Sequence, residues 1–381
     1  MKYKLSDICH YRKGKVEVSL LTDDTYISTE NMIPNRGGIT KATTLPTVDS
    51  TQLYKKGDVL VSNIRPYFKK IWQATCDGGC SNDVLVFQAN EGFDQDYLYY
   101  VLSDDAFFAY AMKTSKGTKM PRGDKHSIMQ YETEVCDLDT QRKIASLLKS
   151  IDSKIELNNA INNNLMQQAL CIYGSLIDGK SKNGCIGDYC SLKSGFAFKS
   201  EWWQDSGVPV IKIGSINQDC LNLKDCSYVS KDKIPLAKDF TVSGGDLLIA
   251  MTGATIGKFT MVPKTTETIL VNQRVGKFFL GDNPISRIPF IYSTLKQQEI
   301  ISEISNRGQG SAQPNISATD IMSIPCVIPP QTEISAFNEQ TTPIFEMIIG
   351  NQYENTLLSN TRDSLLPKLL SGELDISAVE F

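Results

Sequence analysis

The sequence predicts an α+β protein with a pseudo-twofold internal repeat, in which two mixed, strand-rich domains are separated by a long antiparallel two-helix coiled-coil spacer. Four observations lead to this class. The 381 residues exceed the length of a typical single domain. Several short motifs occur twice in the same order, and two segments carry the apolar spacing of long helices. A composition of 41% hydrophobic and 22% charged residues excludes a disordered chain.

The internal repeat is visible in two pairs of motifs. A Gly-Asp pair followed by an apolar run occurs at 57–58 and again at 245–246. A loop that begins with glycine and contains proline occurs at 117–122 and again at 310–315. The members of each pair are separated by nearly the same length of chain, which indicates a duplication. In each half, short apolar runs broken by Gly, Pro, Asn and Asp predict a strand-rich domain with a few helices.

The sequence pattern changes at Gln141 and Gln331, after which the apolar residues follow helical spacing. We place the domain boundaries at these changes. The predicted organisation is a first strand-rich domain at 1–140, a first spacer helix at 141–180, a second strand-rich domain at 181–330, and a second spacer helix with its tail at 331–381.

Each predicted spacer helix has a seam, mostly apolar, at alternating spacings of three and four residues. The first seam consists of Ile144, Leu148, Ile151, Ile155, Asn158, Asn162, Leu165, Ala169 and Ile172. The second consists of Ile334, Phe337, Thr341, Ile344, Ile348, Asn351, Asn355, Leu358, Arg362, Leu365 and Leu369. Both seams contain asparagines near the middle, where buried amides would fix the register of a helix pair. We therefore expect the two helices to pair with their asparagines facing each other.

We expect a non-catalytic chain that binds no cofactor and no metal. The ten cysteines lack the tight paired spacing of common zinc modules. Because the start of the chain has no apolar signal core, we expect free thiols in a cytoplasmic protein. The glycine turn at 253–258 has three residues between its glycines, and Phe259 stands where a phosphate-binding loop needs Ser or Thr for magnesium. The sequence therefore excludes a nucleotide site of that kind.

Four strings carry a resemblance to a known family. Two lie in the strand-rich domains, GDVLVSNIRPYFKK at 57–70 and GDLLIAMTGATIGK at 245–258. Two lie in the predicted helices, LLKSIDSKIELN at 147–158 and LLPKLLSGE at 365–373. These strings resemble those of the specificity (S) subunits of type I restriction-modification systems, the HsdS family. The resemblance covers essentially the whole chain. Each string is short, and their duplicated order makes the resemblance specific.

This resemblance implies a DNA-sequence specificity subunit without catalytic activity of its own. Each strand-rich domain would be a target recognition domain that reads one half of a bipartite, asymmetric site in double-stranded DNA. The helices would set the unread gap and dock two methyltransferase (M) subunits, and restriction (R) subunits would join where the system has a nuclease. S-adenosylmethionine and ATP would bind to those partner subunits, and no membrane would be involved.

The candidate DNA-binding residues lie on turn-rich loops, where basic side chains can reach phosphates or guanine edges and amides suit adenine edges. In the first domain they are Arg65, Lys69, Lys70, Lys119, Arg122 and Lys125. In the second domain they are Thr252, Thr255, Lys258, Asn272, Gln273, Arg274, Gln313 and Asn315. The alternative for each basic residue is a solvated surface charge, and for each polar residue it is the capping of a turn.

Two other functions stay open at this point. The net charge of −4 is low for a chain that binds DNA phosphates by itself, so we expect tight DNA binding to require the M subunits. The same charge leaves open the alternative that the chain is a protein-interaction scaffold whose domains bind protein ligands. Within DNA recognition, the alternative is the specificity subunit of a modification-only system that has no nuclease.

Overall fold

The structure, a computed structural model, describes residues 2–217, 219–223, 226–308 and 314–376. Its contacts divide the chain into two compact units. Unit 1 comprises Met1–Ser153 and Leu358–Phe381, and unit 2 comprises Lys154–Leu357. Each unit therefore combines one strand-rich region with a part of each long helix.

The first sheet of unit 1 is antiparallel. Its strands, in spatial order, are Cys9–Tyr11, Val84–Ala89, Val59–Ser62 and Ile71–Gln73. Side chains alternate between the two faces of a strand, so Val59 and Val61 pack into one apolar cluster and Leu60 packs into another. Because both of its faces are covered, the strand Val59–Ser62 is an almost unbroken apolar run in the sequence.

The second sheet of unit 1 is mixed. Its strands, in spatial order, are Lys15–Glu17, Ser50–Tyr54, Gly78–Cys80 and Tyr26–Ile27; the last pair is parallel and the others are antiparallel. A separate antiparallel pair joins Lys2–Lys4 to Glu132–Glu134. The short helices are Leu5–Ile8, Gln95–Ser103, Asp105–Lys113 and Lys125–Ile128, with 3-10 turns at Val18–Leu20 and Pro66–Phe68. The side chains of Asp94 and Asp104 cap two of these helices.

Unit 2 repeats the antiparallel sheet of unit 1. Its strands, in spatial order, are Ser191–Ser194, Val275–Phe279, Leu247–Ala250 and Phe259–Met261. Leu247 and Ile249 pack into one apolar cluster and Leu248 packs into another, as the corresponding residues do in unit 1. The common strand order and the common division of the core confirm the predicted internal repeat.

The second sheet of unit 2 has five strands among the described residues. In spatial order they are Trp203–Gln204, Ser227–Val229, Val208–Ile211, Ile269–Val271 and Thr241–Val242. Its two strands Val208–Ile211 and Ile269–Val271 are parallel, and the second sheet of unit 1 also contains a parallel pair. Two further antiparallel pairs join Gly184–Cys185 to Pro325–Cys326 and Ile216–Asn217 to Cys220–Leu221.

Unit 2 also contains four short α-helices among the described residues. They are Ile186–Tyr189, Ile288–Leu295, Gln298–Arg307 and Ala318–Met322. The 3-10 turns are Ser200–Trp202, Ile213–Ser215, Lys231–Phe240, Gly253–Thr255 and Pro284–Ser286. The helix Ile288–Leu295 is mostly apolar and is buried at every position, which places it in the core of the unit.

Two long helices of 40 residues each, Leu138–Ile177 and Gln331–Leu370, follow the strand-rich regions. Within unit 2 they pair antiparallel. Asn158 is hydrogen-bonded to Asn355, and Asn162 to Asn351, so the residue number falls along one helix as it rises along the other. The facing asparagines and the α+β class with an antiparallel helix pair are therefore confirmed.

Two further features bear on function. Over the described ranges, no helix is both long enough and apolar enough to cross a bilayer, and no group of three or more His, Cys, Asp and Glu side chains is arranged to hold a metal ion. The cysteines whose side chains the structure describes are all free thiols, four of them buried.

Candidate nucleic-acid interface

In unit 1, three loop segments meet at one end of the antiparallel sheet. They are the turn that follows the strand Val59–Ser62 (63–70), the turn that precedes Val84–Ala89 (81–83) and the loop at 114–125. The first two lie side by side because neighbouring antiparallel strands place the end of one beside the start of the other. Together the three segments are termed the unit 1 turn cluster.

Three backbone hydrogen bonds hold the unit 1 turn cluster together. The Asn63 N–H donates to the Asp83 carbonyl at 2.8 Å, and the Gly123 N–H donates to the Asn63 carbonyl at 3.0 Å. The Arg65 N–H donates to the Pro121 carbonyl at 2.8 Å. The close approach of the loop at 114–125 to Asn63 requires glycine at position 123, because a Cβ there would lie 2.5 Å from Asn63 Oδ1.

The same end of the antiparallel sheet in unit 2 carries the corresponding segments. They are the turn at 251–258, the turn at 272–274, and the loop of which residues 308 and 314–316 are described. These segments are termed the unit 2 turn cluster. The predicted DNA-binding residue Gln313 lies in this part of the sequence, outside the described residues.

The three backbone hydrogen bonds of unit 1 recur in the unit 2 turn cluster. The Met251 N–H donates to the Arg274 carbonyl at 3.0 Å, and the Ile316 N–H donates to the Met251 carbonyl at 3.0 Å. The Gly253 N–H donates to the Pro314 carbonyl at 2.9 Å. Both units therefore build the same backbone frame at this end of the sheet, although the side chains on it differ.

Arg122 joins two segments of the unit 1 turn cluster through an ion pair with Asp83. Its side chain is nevertheless 56% exposed, so part of the guanidinium faces solvent. Such a guanidinium has donors left for a phosphate or for a guanine edge.

Two further cations of the unit 1 turn cluster, Lys119 and Lys125, are exposed and form no ion pair with any described residue. Lys125 begins the helix Lys125–Ile128, which Asp124 caps by accepting a hydrogen bond from the Ser127 N–H at 2.9 Å. The Lys116 ammonium and the Ser127 N–H hold the pKa of Asp124 well below its ordinary value. The capped helix therefore fixes the position from which the Lys125 side chain extends into solvent.

Lys69 and Lys70 are instead engaged inside the protein. The Lys69 ammonium lies 2.8 Å from the Asp105 carboxylate, and the Lys70 ammonium donates to the Thr29 carbonyl at 2.6 Å. Burial lowers the pKa of Lys70. Arg65 is half-buried, and among the described atoms its Nε has no hydrogen-bond partner. These contacts give both lysines a role in holding the turn, and their contact with DNA stays a prediction.

The polar candidates of unit 2 fall into two groups by exposure. Gln273, Arg274 and Asn315 are exposed, whereas Asn272 is buried and its Oδ1 accepts a hydrogen bond from the Arg274 N–H at 3.3 Å. The buried amide thus shapes the turn from which Gln273 and Arg274 project. Asn315 pairs with Thr252 in an isolated antiparallel bridge, which brings the loop to the central turn.

The remaining unit 2 candidates lie in the central turn itself. Thr255 Oγ1 donates to the Thr252 carbonyl at 3.4 Å, and Lys258 is half-buried. The Lys258 carbonyl accepts from the Ala250 N–H at 2.8 Å, which closes the turn. Among the described atoms, the buried Oγ1 of Thr252 has no partner. The structure thus brings the described unit 2 candidates together at one end of the sheet.

One basic and aromatic group beside this site was not selected from the sequence. Lys212 Nζ lies 3.7 Å from the centroid of the Trp203 ring, and the ammonium groups of Lys199 and Lys233 lie 5.5 and 5.0 Å from the Trp202 ring. Phe196 connects this group to the unit 2 turn cluster, because its ring stacks on Trp202 with centroids 6.3 Å apart and its carbonyl accepts a hydrogen bond from the Gln273 N–H. Lysines close to aromatic residues could have indicated this group. The three lysines are far apart in the sequence, however, so the sequence alone does not bring them together.

Comparison with known proteins supports this duplicated plan. The family described as the type I restriction modification DNA specificity domain matches the chain twice, at residues 1–167 and 179–354. The MjaVIII specificity subunit of Methanocaldococcus jannaschii is 23% identical, over 99% of this chain and 93% of the relative. The HindI specificity subunit of Haemophilus influenzae is 23% identical, over 98% of this chain and 99% of the relative.

A solved structure shares the fold. The crystal structure of the type I restriction-modification S subunit from M. genitalium matches with a TM-score of 0.56 and 16% identity, over 97% of this chain and 96% of that one. The two family matches together span most of the chain, and they contain the two turn clusters with their common hydrogen bonds. The chain therefore belongs to the family of type I restriction-modification specificity (S) subunits.

Proposed function

We propose that this chain selects the DNA sequence for a type I restriction-modification complex through two target recognition domains, at 1–140 and 181–330. Each domain would read one half of a bipartite, asymmetric site in double-stranded DNA. One observation carries this proposal: both units have the same three-hydrogen-bond turn cluster at the same end of the same sheet, with different side chains on it. A common frame with different side chains suits two readers of different sequences.

The exposed side chains of the two clusters suggest what each domain would contact. In unit 1 the exposed cations are Lys119, Arg122 and Lys125, which suit phosphates and guanine edges. In unit 2 the exposed amides of Gln273 and Asn315 suit adenine edges, and Arg274 suits guanine. The two half-sites should therefore differ in sequence, and the complete site should be asymmetric.

We further propose that the long helices set the length of the unread gap and dock two M subunits. The chain would be non-catalytic, and methyl transfer with S-adenosylmethionine would take place on the M subunits. R subunits would join where the system encodes a nuclease. Because the chain carries a net charge of −4, the M subunits would also supply backbone contacts for tight DNA binding.

The test is to co-express the chain with the M subunit encoded beside it and to map methylated bases across the host genome. A split, asymmetric methylated motif would support the proposal and would identify both half-sites. The control is a chain with Arg122→Ala and Arg274→Ala together, which should lose or relax the motif while still associating with the M subunit. Methylation without cleavage of unmodified DNA would identify a modification-only system. A soluble complex of both proteins that methylates no motif would favour the alternative function, a protein-interaction scaffold.

A further inference from the structure

Tyr67 is the exposed aromatic residue of the unit 1 turn cluster. Its side chain is 48% exposed and lies on the 3-10 turn Pro66–Phe68, between the buried ring of Pro66 and the half-buried ring of Phe68. The centroids of the Tyr67 and Phe68 rings are 4.7 Å apart, with 53° between their planes. A single exposed aromatic residue needs no explanation by itself. The backbone conformation on both sides of Tyr67 is unusual, however, and needs one.

The backbone around Tyr67 is in the left-handed region at both ends of the turn. Arg65 has φ 51° and Lys69 has φ 50°. The segment that pairs with the turn is also left-handed, with φ 57° at Asn35 and φ 60° at Arg36. Four of the five described non-glycine residues with positive φ are therefore in this one place. Residues other than glycine rarely adopt this conformation, and where they do they cluster at functional sites.

The strained turn is held rigid by its neighbours. The Asn35 N–H donates to the Phe68 carbonyl at 2.8 Å, and the Arg36 N–H donates to the Lys69 carbonyl at 3.0 Å. The ammonium of Lys69 and the guanidinium of Arg36 both pair with Asp105. The cations next to Tyr67 thus fasten the turn, and the ring of Tyr67 is presented to solvent on a fixed base. A side chain presented in this way loses little conformational entropy when it binds.

The corresponding turn of unit 2 presents no aromatic ring. By the repeat, Thr255 and Ile256 stand where Tyr67 and Phe68 stand in unit 1. Thr255 is half-buried, and Ile256 packs against the apolar cluster that contains Phe259. Among the described residues of the two turn clusters, an exposed aromatic ring on this turn is therefore found in unit 1 and not in unit 2.

We propose that Tyr67 inserts its ring into the base stack of the half-site bound by the first domain and unstacks one base-pair step there. This inference rests on the proposed function, since it requires the unit 1 turn cluster to contact DNA. A rigid aromatic side chain in a turn cluster that also exposes Lys119, Arg122 and Lys125 suits this role, because the ring can stack on bases while these cations contact the flanking phosphates. Stacking does not require the hydroxyl group, so phenylalanine should replace tyrosine at this position.

The experiment uses the full chain in complex with its M subunit and a duplex that carries the mapped motif. The fluorescent base 2-aminopurine, which brightens when it is unstacked, is placed at successive positions of each half-site. With the wild-type chain, fluorescence should rise several-fold at one step of the first half-site that lies away from the methylated base, and in the second half-site it should rise only at the methylated base, because methyltransferases flip their target base out of the stack. Tyr67→Ala should abolish the rise at that step and slow methylation of the motif by about tenfold. Tyr67→Phe should retain both.

The matched control is Leu20→Ala, which removes another exposed apolar side chain of unit 1, one that lies outside the turn cluster. This variant should leave the fluorescence and the methylation rate unchanged. Motif-specific methylation in which the first half-site brightens only at the methylated base would overturn the insertion of Tyr67 and leave the proposed function intact. Absence of any methylated motif would overturn both. Loss of M-subunit binding by Tyr67→Ala before DNA is added would identify the ring as a protein contact and overturn the insertion of Tyr67.

Discussion

Asn158 Nδ2 donates a hydrogen bond to Asn355 Oδ1 at 2.9 Å, and so joins the two long helices across their seam. Asn158 is 1% exposed, and its Nδ2 also lies 2.8 Å from Glu354 Oε2. In the same seam, Asn351 Nδ2 donates to Asn162 Oδ1 at 2.8 Å. A shift of one helix along the other would separate these amides and leave them without partners. The amides therefore select one register of the pair.

Replacing one member of the amide pair should cost more than replacing both. Asn158→Leu should lower the free energy of unfolding by about 1–3 kcal/mol, because it leaves acceptors on the other helix without a donor. Asn158→Leu with Asn355→Leu should cost less than the sum of the two single changes. Urea unfolding followed by circular dichroism measures the cycle. The control is Asn163→Leu, at an exposed position of the same helix, and strictly additive costs would show that the amides do not interact.

The pH dependence of stability should report on Asp124. Hydrogen bonds from the Lys116 ammonium and from Ser127 lower the folded-state pKa of this carboxyl below its value in the unfolded chain. The resulting stabilisation is present above the unfolded pKa, near 4, and is lost as the pH falls towards the folded pKa. Asp124→Asn keeps an N-cap and removes the charge. The melting temperature of Asp124→Asn should therefore lie below that of the wild type at about pH 7, and the difference should narrow as the pH falls below about 4.

A second variant separates the cap from the charge. Asp124→Ala removes both, so its melting temperature should lie below that of Asp124→Asn at neutral pH. An Asp124→Asn deficit that stays constant from neutral to acidic pH would contradict the charge pairing with Lys116.

Arg122 should contribute to sequence recognition beyond its ion pair with Asp83. If its exposed guanidinium contacts a guanine edge, Arg122→Ala should slow methylation of the motif by about 10- to 100-fold and relax the sequence requirement at one position. The measurement is a genome-wide methylation map together with rates on duplexes substituted at each base pair. Lys56→Ala, at an exposed lysine outside the turn cluster, is the control. A uniform loss on all sequences would identify a phosphate contact instead, and no loss would leave Arg122 a structural role.

The repeat and the long helices could be predicted because both leave a periodic signal along the chain. A buried central strand needs an apolar run such as Val59–Ser62, and a helix seam needs apolar residues at spacings of three and four. The sequence pattern predicts that the first long helix starts at Gln141, whereas the helix begins at Leu138. The missed signal was Asp137, which accepts a hydrogen bond from the Thr140 N–H and caps the helix.

The use of each candidate cation could not be predicted from the sequence. Lys69 and Lys119 both follow turn residues in the sequence, yet Lys69 pairs with Asp105, while Lys119 is exposed. Asp105 is distant in sequence, and its position depends on how the helix Asp105–Lys113 packs. The same holds for Asn272, whose buried amide shapes a turn while its neighbour Arg274 is exposed. Tertiary contacts determine these roles, and such contacts cannot be predicted from the local sequence.

Exchange of the second domain should change one half of the recognised motif. The replaced segment should be 181–330, because it keeps the strand pair Gly184–Cys185 and Pro325–Cys326 within one piece. With the domain of another family member in its place, the methylated motif should retain the first half-site and the gap and acquire a new second half-site. The methylation map of the chimaera measures this. Changes in both halves would contradict independent reading by two domains, and the reciprocal exchange of 1–140 is the matched control.

Lengthening the helix pair should change the gap and leave both half-sites intact. One heptad inserted between Asn158 and Asn162, with a second inserted between Asn351 and Asn355, preserves the seam spacing and the antiparallel pairing. Seven residues add about 10 Å of helix, which corresponds to about three base pairs of DNA. The methylated motif should therefore keep its two half-sites with a gap about three base pairs longer. A heptad inserted in one helix alone breaks the pairing and should abolish methylation. An unchanged gap in the doubly lengthened protein would show that the helices do not set the spacing.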